Sequence, residues 1–423
     1  MRYYCLRTCD PCFMKTQEAR NPFQKRRKKM PELKHATNGR KLTIELEGRI
    51  DSTSAPEVEA AIAAIRAGAD HTELDFDCGA LEYISSAGLR VILRVLKAVP
   101  KTRLLNVSSE VYEILEMTGF TEMMDVRKAF RKISVEGAEV IGQGANGKVY
   151  RIDPDTIVKV YLNPDSLPEI ERERELARTA FVLGVPTAIP YDVVRVEGGG
   201  YGSVFELLNA KSFAKLLING ESSVDEVAKM SIDLLKLIHS TVVKPGSMPD
   251  MKAVALDWAD FLEPYLEPAL FKKLHALVEA VPEDLHMMHG DYHLKNVMLQ
   301  NGESLLIDMD TLCHGHPVFE LASMYNAYVG YSELNHAQIL DFMGISYETA
   351  GAFWKKSLNL YLGTEDEEKV RSVEEKAMIV GYTRIMRRTI RRNGLNTEDG
   401  RVIIENCRKH LSALLPVVDD LTF

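Results

Sequence analysis

The sequence has few cysteines and no long apolar run. Its 423 residues include six cysteines, three of them within the first twelve positions, and this number and spacing exclude a disulfide framework and fit a reducing compartment. Nowhere do about 18 consecutive apolar residues occur, and the basic start lacks the apolar segment of a signal peptide. We therefore expect a cytoplasmic protein without a membrane partner.

A basic surface is also missing outside the first residues. The formal charge is -9, but residues 1–29 carry nine Lys/Arg against two acidic residues, which leaves -16 on the rest. Nucleic acids and anionic membranes are bound by basic residues that displace counterions. The charge therefore argues against both as main partners of the folded part. The length is sufficient for two to three domains.

Residues 1–29 are predicted to be a disordered or non-native leader, with the true start at Met30. The segment QKRRKK at 24–29 is the kind of peptide that a purine-rich ribosome-binding sequence would encode. Three leader cysteines have the C-x3-C-x2-C spacing of an iron–sulfur site in radical enzymes. Such clusters lie in a barrel that follows the motif, and no barrel pattern follows here.

Strand and helix patterns alternate over 30–130. The period of two at 41–47 predicts a strand, and Gly68 closes the first helix pattern. The later patterns predict strands at 73–76 and 103–107, and helices at 87–99 and 109–119. Together they indicate a small α/β domain with helices packed on a sheet. The charged stretch at 127–132 is the predicted linker.

A second domain is predicted at 133–423, with an N-terminal lobe at 133–208 and a C-terminal lobe at 209–423. It opens with strand patterns around the glycine loop GQGANG at 142–147. In dinucleotide-binding folds a G-x-G-x-x-G loop opens a helix, whereas a strand, a turn and a strand follow this one. That order is typical of kinases, where the loop covers the ATP phosphates.

A lysine and a glutamate form a candidate pair after this loop. Lys159 lies in the third strand pattern, where a long cation can reach the α- and β-phosphates; the alternative is a lysine at a sheet edge. In the following acidic helix, Glu173 is spaced i±3/4 from the apolar residues Ile170 and Leu176. It should therefore point inward while its acidic neighbours face water.

The most specific pattern is HGDYHLKN at 289–296, followed after a hairpin by LLIDMD at 305–310. Asp291 can accept the proton of an attacking hydroxyl, and Asn296 can bind a magnesium ion. Asp308 returns on the next strand, where it can hold Mg²⁺ between phosphates. His289 and His293 are more typical of residues that shape a loop than of proton carriers.

These motifs, with VKVY and ERERELA, resemble the aminoglycoside phosphotransferase/choline kinase branch of the protein-kinase-like superfamily over 133–423. The resemblance implies a bilobal α+β fold with a mostly helical C-terminal lobe, and ATP and Mg as cofactors. The VFELLNA segment matches the family's hinge. The implied site consists of Gly142, Gly144 and Gly147 over the phosphates, Lys159 held by Glu173, Glu206 and Leu208 at adenine, Asp291 as base, and Asn296 and Asp308 on magnesium.

Two features near the C-terminus bear on this resemblance. After the metal aspartate the family often shows G-D-P-x-x-D, whereas GHPVFE stands here at 315–320. Four arginines also crowd one side of a predicted helix, where they either face an anionic substrate or form a solvated basic face. They are Arg384, Arg387, Arg388 and Arg391. An aminoglycoside acceptor would favour an acidic pocket instead.

LEYISSAGLRVIL at 81–93 and GRIDSTSA at 48–55 resemble the STAS family of anti-sigma factor antagonists, over 41–129. The resemblance implies that Ser86 is the regulatory phosphoacceptor, that Ser85 replaces the usual aspartate, and that Asp51 belongs to a surface for an anti-sigma factor or other regulatory protein. A phosphate in a first helical turn is stabilised by backbone N–H groups and changes the charge of the surface. A plain N-cap is the alternative reading of Ser85 or Ser86.

Three functions are therefore compared. The first is an ATP- and Mg-dependent phosphotransferase (kinase) acting on an alcohol group of a small molecule, with a regulatory STAS domain. The second is a partner-switching signalling protein whose kinase-like domain phosphorylates a protein, with Ser86 as the candidate. The third is a binding-only pseudokinase, which the complete motif set argues against. The large helical C-terminal part favours the first.

Overall fold

A computed structural model describes residues 33–144 and 147–423. It divides the chain into two compact units, with the break between Phe130 and Arg131. The expectations about residues 1–29 and the start at Met30 lie outside the described residues. Within the described residues, no helix has the length and apolar character needed to cross a membrane.

Over residues 33–130, the first unit consists of a five-stranded sheet and four helices. The strand order is β1-β2-β3-β4-β5, antiparallel between the first two strands and parallel elsewhere. Apolar residues of the sheet and of its helices share one core. The elements are β1 His35–Asn38, β2 Lys41–Ile50, α1 Ala55–Ala67, β3 Glu73–Ile84, α2 Ser86–Ala98, β4 Thr102–Val107, α3 Ser109–Met117, α4 Phe120–Met123 and β5 Asp125–Lys128.

Strand β3 is longer than its sequence pattern predicts. The predicted strand ends at Phe76, but the alternation continues through the buried Cys78 and shifts by one residue only between Ala80 and Leu81. The strand continues to Ile84 because its second half pairs with the second half of β2, across two register irregularities. A β-bulge keeps two strands paired where one has an extra residue, so this pairing is a tertiary effect.

Short strands occupy most of the predicted linker at 127–132. β5 ends at Lys128 and pairs with β4, whereas the strand Arg131–Ile133 (β6) pairs with another strand of the second unit. Both lie at the edges of their sheets. Edge strands commonly carry charged side chains, which prevent pairing with other chains. The run of charges therefore marks two edge strands as well as the boundary.

The second unit begins with a six-stranded sheet in the order β6-β10-β11-β9-β8-β7, together with one long helix. Strands β7, β8 and β9 form the predicted meander, and β10 and β11 form a hairpin. The elements are β6 Arg131–Ile133, β7 Glu139–Gln143, β8 Gly147–Asp153, β9 Thr156–Tyr161, α5 Leu167–Val182, β10 Asp192–Val196 and β11 Tyr201–Glu206.

The rest of the second unit is mostly helical. Helix α10 is buried along its whole length, as expected of a helix at the centre of a helical lobe. The elements are β12 Lys211–Ser212, α6 Phe213–Ile218, α7 Val224–Ser240, α8 Met251–Phe261, α9 Pro268–Ala280, β13 Met287–Met288, β14 Val297–Gln300, β15 Glu303–Leu306, β16 Cys313–His314, α10 Val318–Tyr328, α11 Ala337–Met343, α12 Tyr347–Leu362, α13 Glu367–Arg391 and α14 Glu398–Leu414.

The predicted fold class is confirmed. A small α/β domain precedes an α+β unit that has a sheet-rich first lobe and a mostly helical second lobe. The β14–β15 hairpin turns at Asn301 and Gly302, both at positive φ, as a two-residue hairpin turn requires. It carries the chain from the HGDYHLKN segment back to Asp308.

Candidate functional site

The two lobes of the second unit enclose a cleft of about 1180 Å³. Most of the residues that the sequence analysis placed at a nucleotide and metal site line it. Gly142 does not line the cleft, and Ser86 belongs to the first unit. The lining residues among them are Gly144, Gly147, Lys159, Glu173, Glu206, Leu208, Asp291, Asn296 and Asp308.

The glycine loop joins β7 and β8. The Gly144 N–H donates to the Gly147 carbonyl over 2.9 Å, which closes the turn. At Gly147 a Cβ would lie 2.3 Å from the Val160 carbonyl oxygen, so the approach of β8 to β9 requires a glycine there. Gly142 lies within β7, where a Cβ would make only an ordinary contact with Val149.

Lys159 stands between two carboxylates. Its Nζ donates to the Glu173 carboxylate at 3.1 and 3.3 Å and to Asp308 Oδ1 at 2.6 Å. The lysine side chain is 16% exposed. Burial disfavours its charge, but the charges of Glu173 and Asp308 outweigh burial and raise the pKa of Lys159 above its ordinary value. The ammonium is therefore held charged at the centre of the cleft.

Glu173 is the inward-facing carboxylate of α5. It is 4% exposed and lies among the buried positions of that helix. The Tyr161 hydroxyl donates to Glu173 Oε2 at 2.5 Å. Tyr161 follows Lys159 by two residues in β9, so both side chains leave the strand on the same face. Burial and the charge of Glu173 raise the pKa of Tyr161, which keeps its hydroxyl a donor.

The HGDYHLKN segment forms a loop whose carboxylate faces the cleft. Asp291 has a side chain 43% exposed, and its Oδ2 lies 3.5 Å from His293 Nε2. Burial opposes ionisation, but the hydrogen bond and charge of His293, with a smaller effect of Arg384, lower the pKa of Asp291 to about 2. Asp291 is therefore an ionised acceptor at neutral pH.

Two further contacts hold this loop in shape. Asn296 Nδ2 donates to the Asp291 carbonyl at 3.0 Å, which leaves the amide oxygen as its remaining acceptor. Gly290 has φ +80°, and a Cβ there would lie 2.4 Å from the Thr311 carbonyl oxygen. The loop thus packs tightly on the segment that follows Asp308.

A buried carboxylate on α10 accepts the backbone donors of the loop. Glu320 is 1% exposed. Its oxygens accept the N–H groups of His289 at 2.5 Å, Gly290 at 3.0 and 3.1 Å, and Tyr292 at 3.4 Å. Burial opposes the charge, but the hydrogen bond and charge of His239, with smaller effects of His289 and the Gly290 N–H, lower the pKa of Glu320. Glu320 is the last residue of GHPVFE, where the related family often has aspartate.

Asp308 has left-handed backbone angles, φ 64° and ψ 65°. Such angles are uncommon outside glycine and cluster at functional sites. Its side chain is 42% exposed and directed at Lys159. Asp310 also lines the cleft, and burial together with the charge of Asp308 raises the pKa of Asp310 to about 6. The sequence analysis did not single out Asp310, although LLIDMD contains both aspartates.

The two histidines of the loop differ. His289 accepts the Asp291 N–H at Nδ1 and donates from Nε2 to the Ile307 carbonyl at 3.2 Å. Both of its ring nitrogens therefore contact backbone groups. His293 is 7% exposed at its side chain, and its ring meets Phe342 edge to face. It is the only one of the two that contacts the Asp291 carboxylate within the described structure.

The four arginines of the C-terminal pattern separate into two groups. Arg384 and Arg388 line the cleft, together with Arg392, which the sequence analysis did not name. Arg384 donates to the Gly290 carbonyl and to Ser323. Arg387 instead pairs with Asp257 at 2.6 Å, and Arg391 does not line the cleft. The two groups therefore lie on different sides of the helix.

In the first unit, Ser85 and Ser86 have different positions at the start of α2. Ser85 is the N-cap, and its hydroxyl accepts from the N–H groups of Ala87 and Gly88. Ser86 is exposed, and its hydroxyl makes no hydrogen bond to the described residues. Asp51 accepts the N–H groups of Thr53 and Ser54, so its carboxylate orders the turn before α1.

Several contributing residues were missed by sequence reasoning. Tyr161 could have been found from the period of two in β9, which places it on the same face as Lys159. Glu320 could have been found as the last residue of GHPVFE, the segment that stands where the related family often has G-D-P-x-x-D. Arg392 follows Arg388 by four residues, which is a helical spacing. Ser323, which donates to the Gly290 carbonyl at 3.1 Å, had no sequence signal, because its contact depends on how α10 packs under the loop.

Comparisons with known proteins agree with the two resemblances. The model of the phosphotransferase enzyme family (APH) matches residues 137–345, and that of the STAS domain matches 31–134. BtrV, a protein of Bordetella bronchiseptica whose name proposes it as an anti-sigma factor antagonist, is 35% identical over 85 residues, which are 19% of this chain and 72% of BtrV.

Solved structures similar to the chain include a thermostable mutant of aminoglycoside phosphotransferase APH(4)-Ia, with 12% identity and a TM-score of 0.45; the match covers 66% of this chain and 94% of that one. A choline/ethanolamine kinase family protein from Mesorhizobium loti has 15% identity and a TM-score of 0.42, over 66% of this chain and 87% of that one. The chain belongs to the STAS family through its first unit and carries a domain of the phosphotransferase enzyme family in its second.

Proposed function

We propose that the second unit transfers the γ-phosphoryl group of ATP to a hydroxyl group of a small molecule, with Mg²⁺, and that the STAS domain regulates it or docks a protein such as an anti-sigma factor. One observation carries this proposal. Lys159 contacts both Glu173 and Asp308 in the cleft that Asp291 and Asn296 also line. Phosphoryl transfer depends on positioning and charge stabilisation, and this arrangement offers both.

The sheet-rich end of the cleft fits a nucleotide. Backbone groups at Glu206 and Leu208 would bind adenine, and Lys159 and the glycine loop would bind the phosphates. The cleft volume of about 1180 Å³ exceeds that of typical small-molecule pockets, so it has room for ATP and an acceptor. The apolar residues that line this end are Ile141, Val149, Ile157, Phe205, Met298 and Ile307.

The residues present also fit magnesium. Asp308 and Asn296 offer oxygen ligands, and the described residues form no cluster of three or more His, Cys, Asp or Glu that could hold a metal ion by itself. Mg²⁺ is commonly bound through one or two carboxylates, with phosphate oxygens and waters completing its shell. Held by Asp308 and Asn296, the ion would neutralise negative charge on the phosphates.

The proposed transfer forms a bond between the acceptor oxygen and the γ-phosphorus, breaks the bond to the β-phosphate oxygen, and leaves ADP. Asp291 accepts the proton of the acceptor hydroxyl and then passes it to water. Its low pKa, about 2, keeps it ionised at neutral pH, and Glu320 and Asn296 hold its loop. Glu173 keeps Lys159 directed at the phosphates.

The metal assignment predicts a magnesium-dependent loss in Asp308→Ala. We expect ATP to bind about tenfold more weakly than in the wild type when Mg²⁺ is present, because one of two protein ligands is gone. Without Mg²⁺ the two proteins should bind ATP within about twofold of each other. Calorimetric titration with and without Mg²⁺ measures both values. Asp233→Ala, which breaks an exposed pair on α7, is the control, and an equal loss with and without Mg²⁺ would refute the assignment.

Protein phosphorylation is the second candidate, and one observation favours it. Ser86 is exposed, and its hydroxyl does not cap the helix, because Ser85 does. A covalent tether between two domains produces effective concentrations of roughly millimolar, which would make encounters frequent. Against this, Ser86 lies in the first turn of a 13-residue helix, so its hydroxyl reaches Asp291 less easily than that of a small molecule.

Intact mass separates the two candidates. We expect the mass of the purified chain to stay unchanged after incubation with ATP and Mg²⁺, because a rigid first turn cannot extend into the cleft. A gain of one phosphate, independent of protein concentration and absent in Ser86→Ala and Asp291→Asn, would instead establish transfer to Ser86 within one chain. Ser109→Ala, at the exposed first position of α3, serves as the control for loss of an unrelated hydroxyl.

A further inference from the structure

The arginines of α13 reach the cleft from one face of the helix. Arg384, Arg388 and Arg392 follow one another at intervals of four, and all three line the cleft. Residues with this spacing lie on the same side of a helix. Arg387, between them in sequence, is turned away to Asp257. Three of these arginines therefore line the cleft, whereas Arg387 lies on another side of the helix.

The helical end of the cleft carries positive charge that the described residues leave uncompensated. Between 311 and 403 the lining residues include three arginines and no Asp or Glu. None of the three has a carboxylate within 4 Å in the described chain. Arg388 instead lies over the Tyr331 ring, 4.9 Å from its centroid. The acidic lining residues, among them Asp291 and Asp308, lie at the phosphoryl-transfer end.

Two further groups add to this positive field. Lys295, next to Asn296 in the loop, lines the same cleft with its Nζ 4.8 Å from the Phe342 ring centroid. The 17-residue helix α14 begins at the cleft, where Thr397 and Gly400 are lining residues. Helix N-termini present free N–H groups and a partial positive charge. The first turn of α14 also holds two acidic residues, which do not line the cleft.

Stabilisation of the helix C-terminus does not account for this arrangement. Cations in a last turn interact favourably with the helix dipole, which would explain Arg388 and Arg391 equally well. It does not explain Arg384, two turns earlier, half-buried, and bound to the Gly290 carbonyl beside Asp291. Nor does it explain why the cavity side has no carboxylates to pair with them.

We propose that the acceptor is a small anionic alcohol, a hydroxyl compound that carries a phosphate or carboxylate group. Arg388, Arg392 and the start of α14 bind the anionic group, while Lys295 and Arg384, which is bound to the Gly290 carbonyl next to Asp291, line the same cleft. This inference rests on the proposed phosphotransfer and names its substrate class. Guanidinium groups bind phosphate and carboxylate with paired hydrogen bonds. A polycationic acceptor such as an aminoglycoside is excluded, because like charges would face each other in the cleft.

Binding of matched probes tests the anionic site without any turnover. The probes are glycerol 3-phosphate and glycerate, each compared with glycerol, and kanamycin as the cation. They are titrated calorimetrically into the full chain, without nucleotide and then with AMP-PNP and Mg²⁺ occupying the nucleotide end. We expect at least one anion to bind tenfold or more tightly than glycerol under both conditions. The affinity of that anion should fall at high salt, and kanamycin should not bind.

Two exposed arginines in the last turn of α13 provide a matched pair of variants. Arg388→Gln removes a guanidinium from the cavity, and Arg391→Gln removes one outside it. We expect the first to weaken anion binding about tenfold or more and to leave glycerol unaffected, while the second leaves both unchanged. Equal thermal stability of the two variants would show that neither effect comes from the helix end.

The proposal fails if neither anion binds more tightly than glycerol, if kanamycin binds in preference, or if Arg391→Gln weakens anion binding as much as Arg388→Gln. Failure of the proposed function gives a different result. Then AMP-PNP would not bind, or the chain would form no ADP with any acceptor. The anion would still bind in the absence of nucleotide, and Arg388→Gln would still weaken that binding.

Discussion

Asp291→Asn should lower turnover by about 10²- to 10⁴-fold, which is the usual contribution of a positioned base. ATP affinity should stay within about threefold of the wild type, because Asp291 acts on the acceptor and not on the nucleotide. The substitution keeps the size of the side chain and an oxygen that His293 can contact at 3.5 Å, but it removes the proton acceptor. Coupled detection of ADP gives turnover, and calorimetry gives affinity.

The control for this substitution is Asp233→Asn, which affects only an exposed ion pair with Lys229 on α7. Such pairs contribute little to stability, so the control should keep wild-type turnover. Near-normal turnover of Asp291→Asn would show that the HGDYHLKN loop does not contain the base. A parallel loss of ATP affinity would show that Asp291 belongs to the nucleotide site instead.

Glu320→Gln should have the second largest effect, although Glu320 lines no part of the cleft. Its carboxylate accepts the N–H groups of His289, Gly290 and Tyr292. An amide offers one oxygen instead of two and brings N–H groups against buried donors, which costs about 1–3 kcal/mol for each unmet partner. We expect kcat to fall about 10²-fold, since a displacement of about 1 Å at a reacting group has that effect.

A lower kcat with an unchanged KM for ATP would identify Glu320 as a positioning residue. KM for ATP should change little, because the hydrogen bonds of Glu320 go to the loop at 289–292 and not to Lys159, whereas kcat falls with the geometry of that loop. Glu320→Asp, which restores the residue type common in the related family, should recover part of kcat because it keeps the charge. Glu374→Gln removes a carboxylate that accepts the Trp354 Nε1–H and should lower stability without changing kcat. An unchanged kcat in Glu320→Gln would disprove the positioning role.

Local patterns predicted most of the elements and the order of the two domains. The period of two in β2, the helical spacing around Glu173 and the strand after the glycine loop each depend on residues close in sequence. Such signals are formed by backbone periodicity, which does not need the rest of the fold. The contact between Lys159 and Glu173 at 3.1 Å agrees with the helical face selected from sequence. The chemical roles of the site residues stay predictions.

Elements that depend on distant partners could not be predicted in the same way. β3 continues past Phe76 only because β2 pairs with it, and the charged residues at 127–132 form strands only because β4 and β10 lie beside them. Strand formation at a sheet edge depends on the neighbour more than on local propensity. The sequence analysis therefore identified these residues as a charged segment at the domain boundary, but it did not predict that they form strands.

The sequence by itself predicted the two families, the fold class and a set of residues that line one cleft, because these follow from short motifs and their spacing. Only the tertiary structure decided which of the arginines at 384–392 face the cleft, that Glu320 binds the loop at 289–292, and that Asp308 contacts Lys159 at 2.6 Å. Each of these contacts joins residues far apart in the chain. Their geometry depends on how helices pack against loops, and side-chain periodicity within one element does not contain that information.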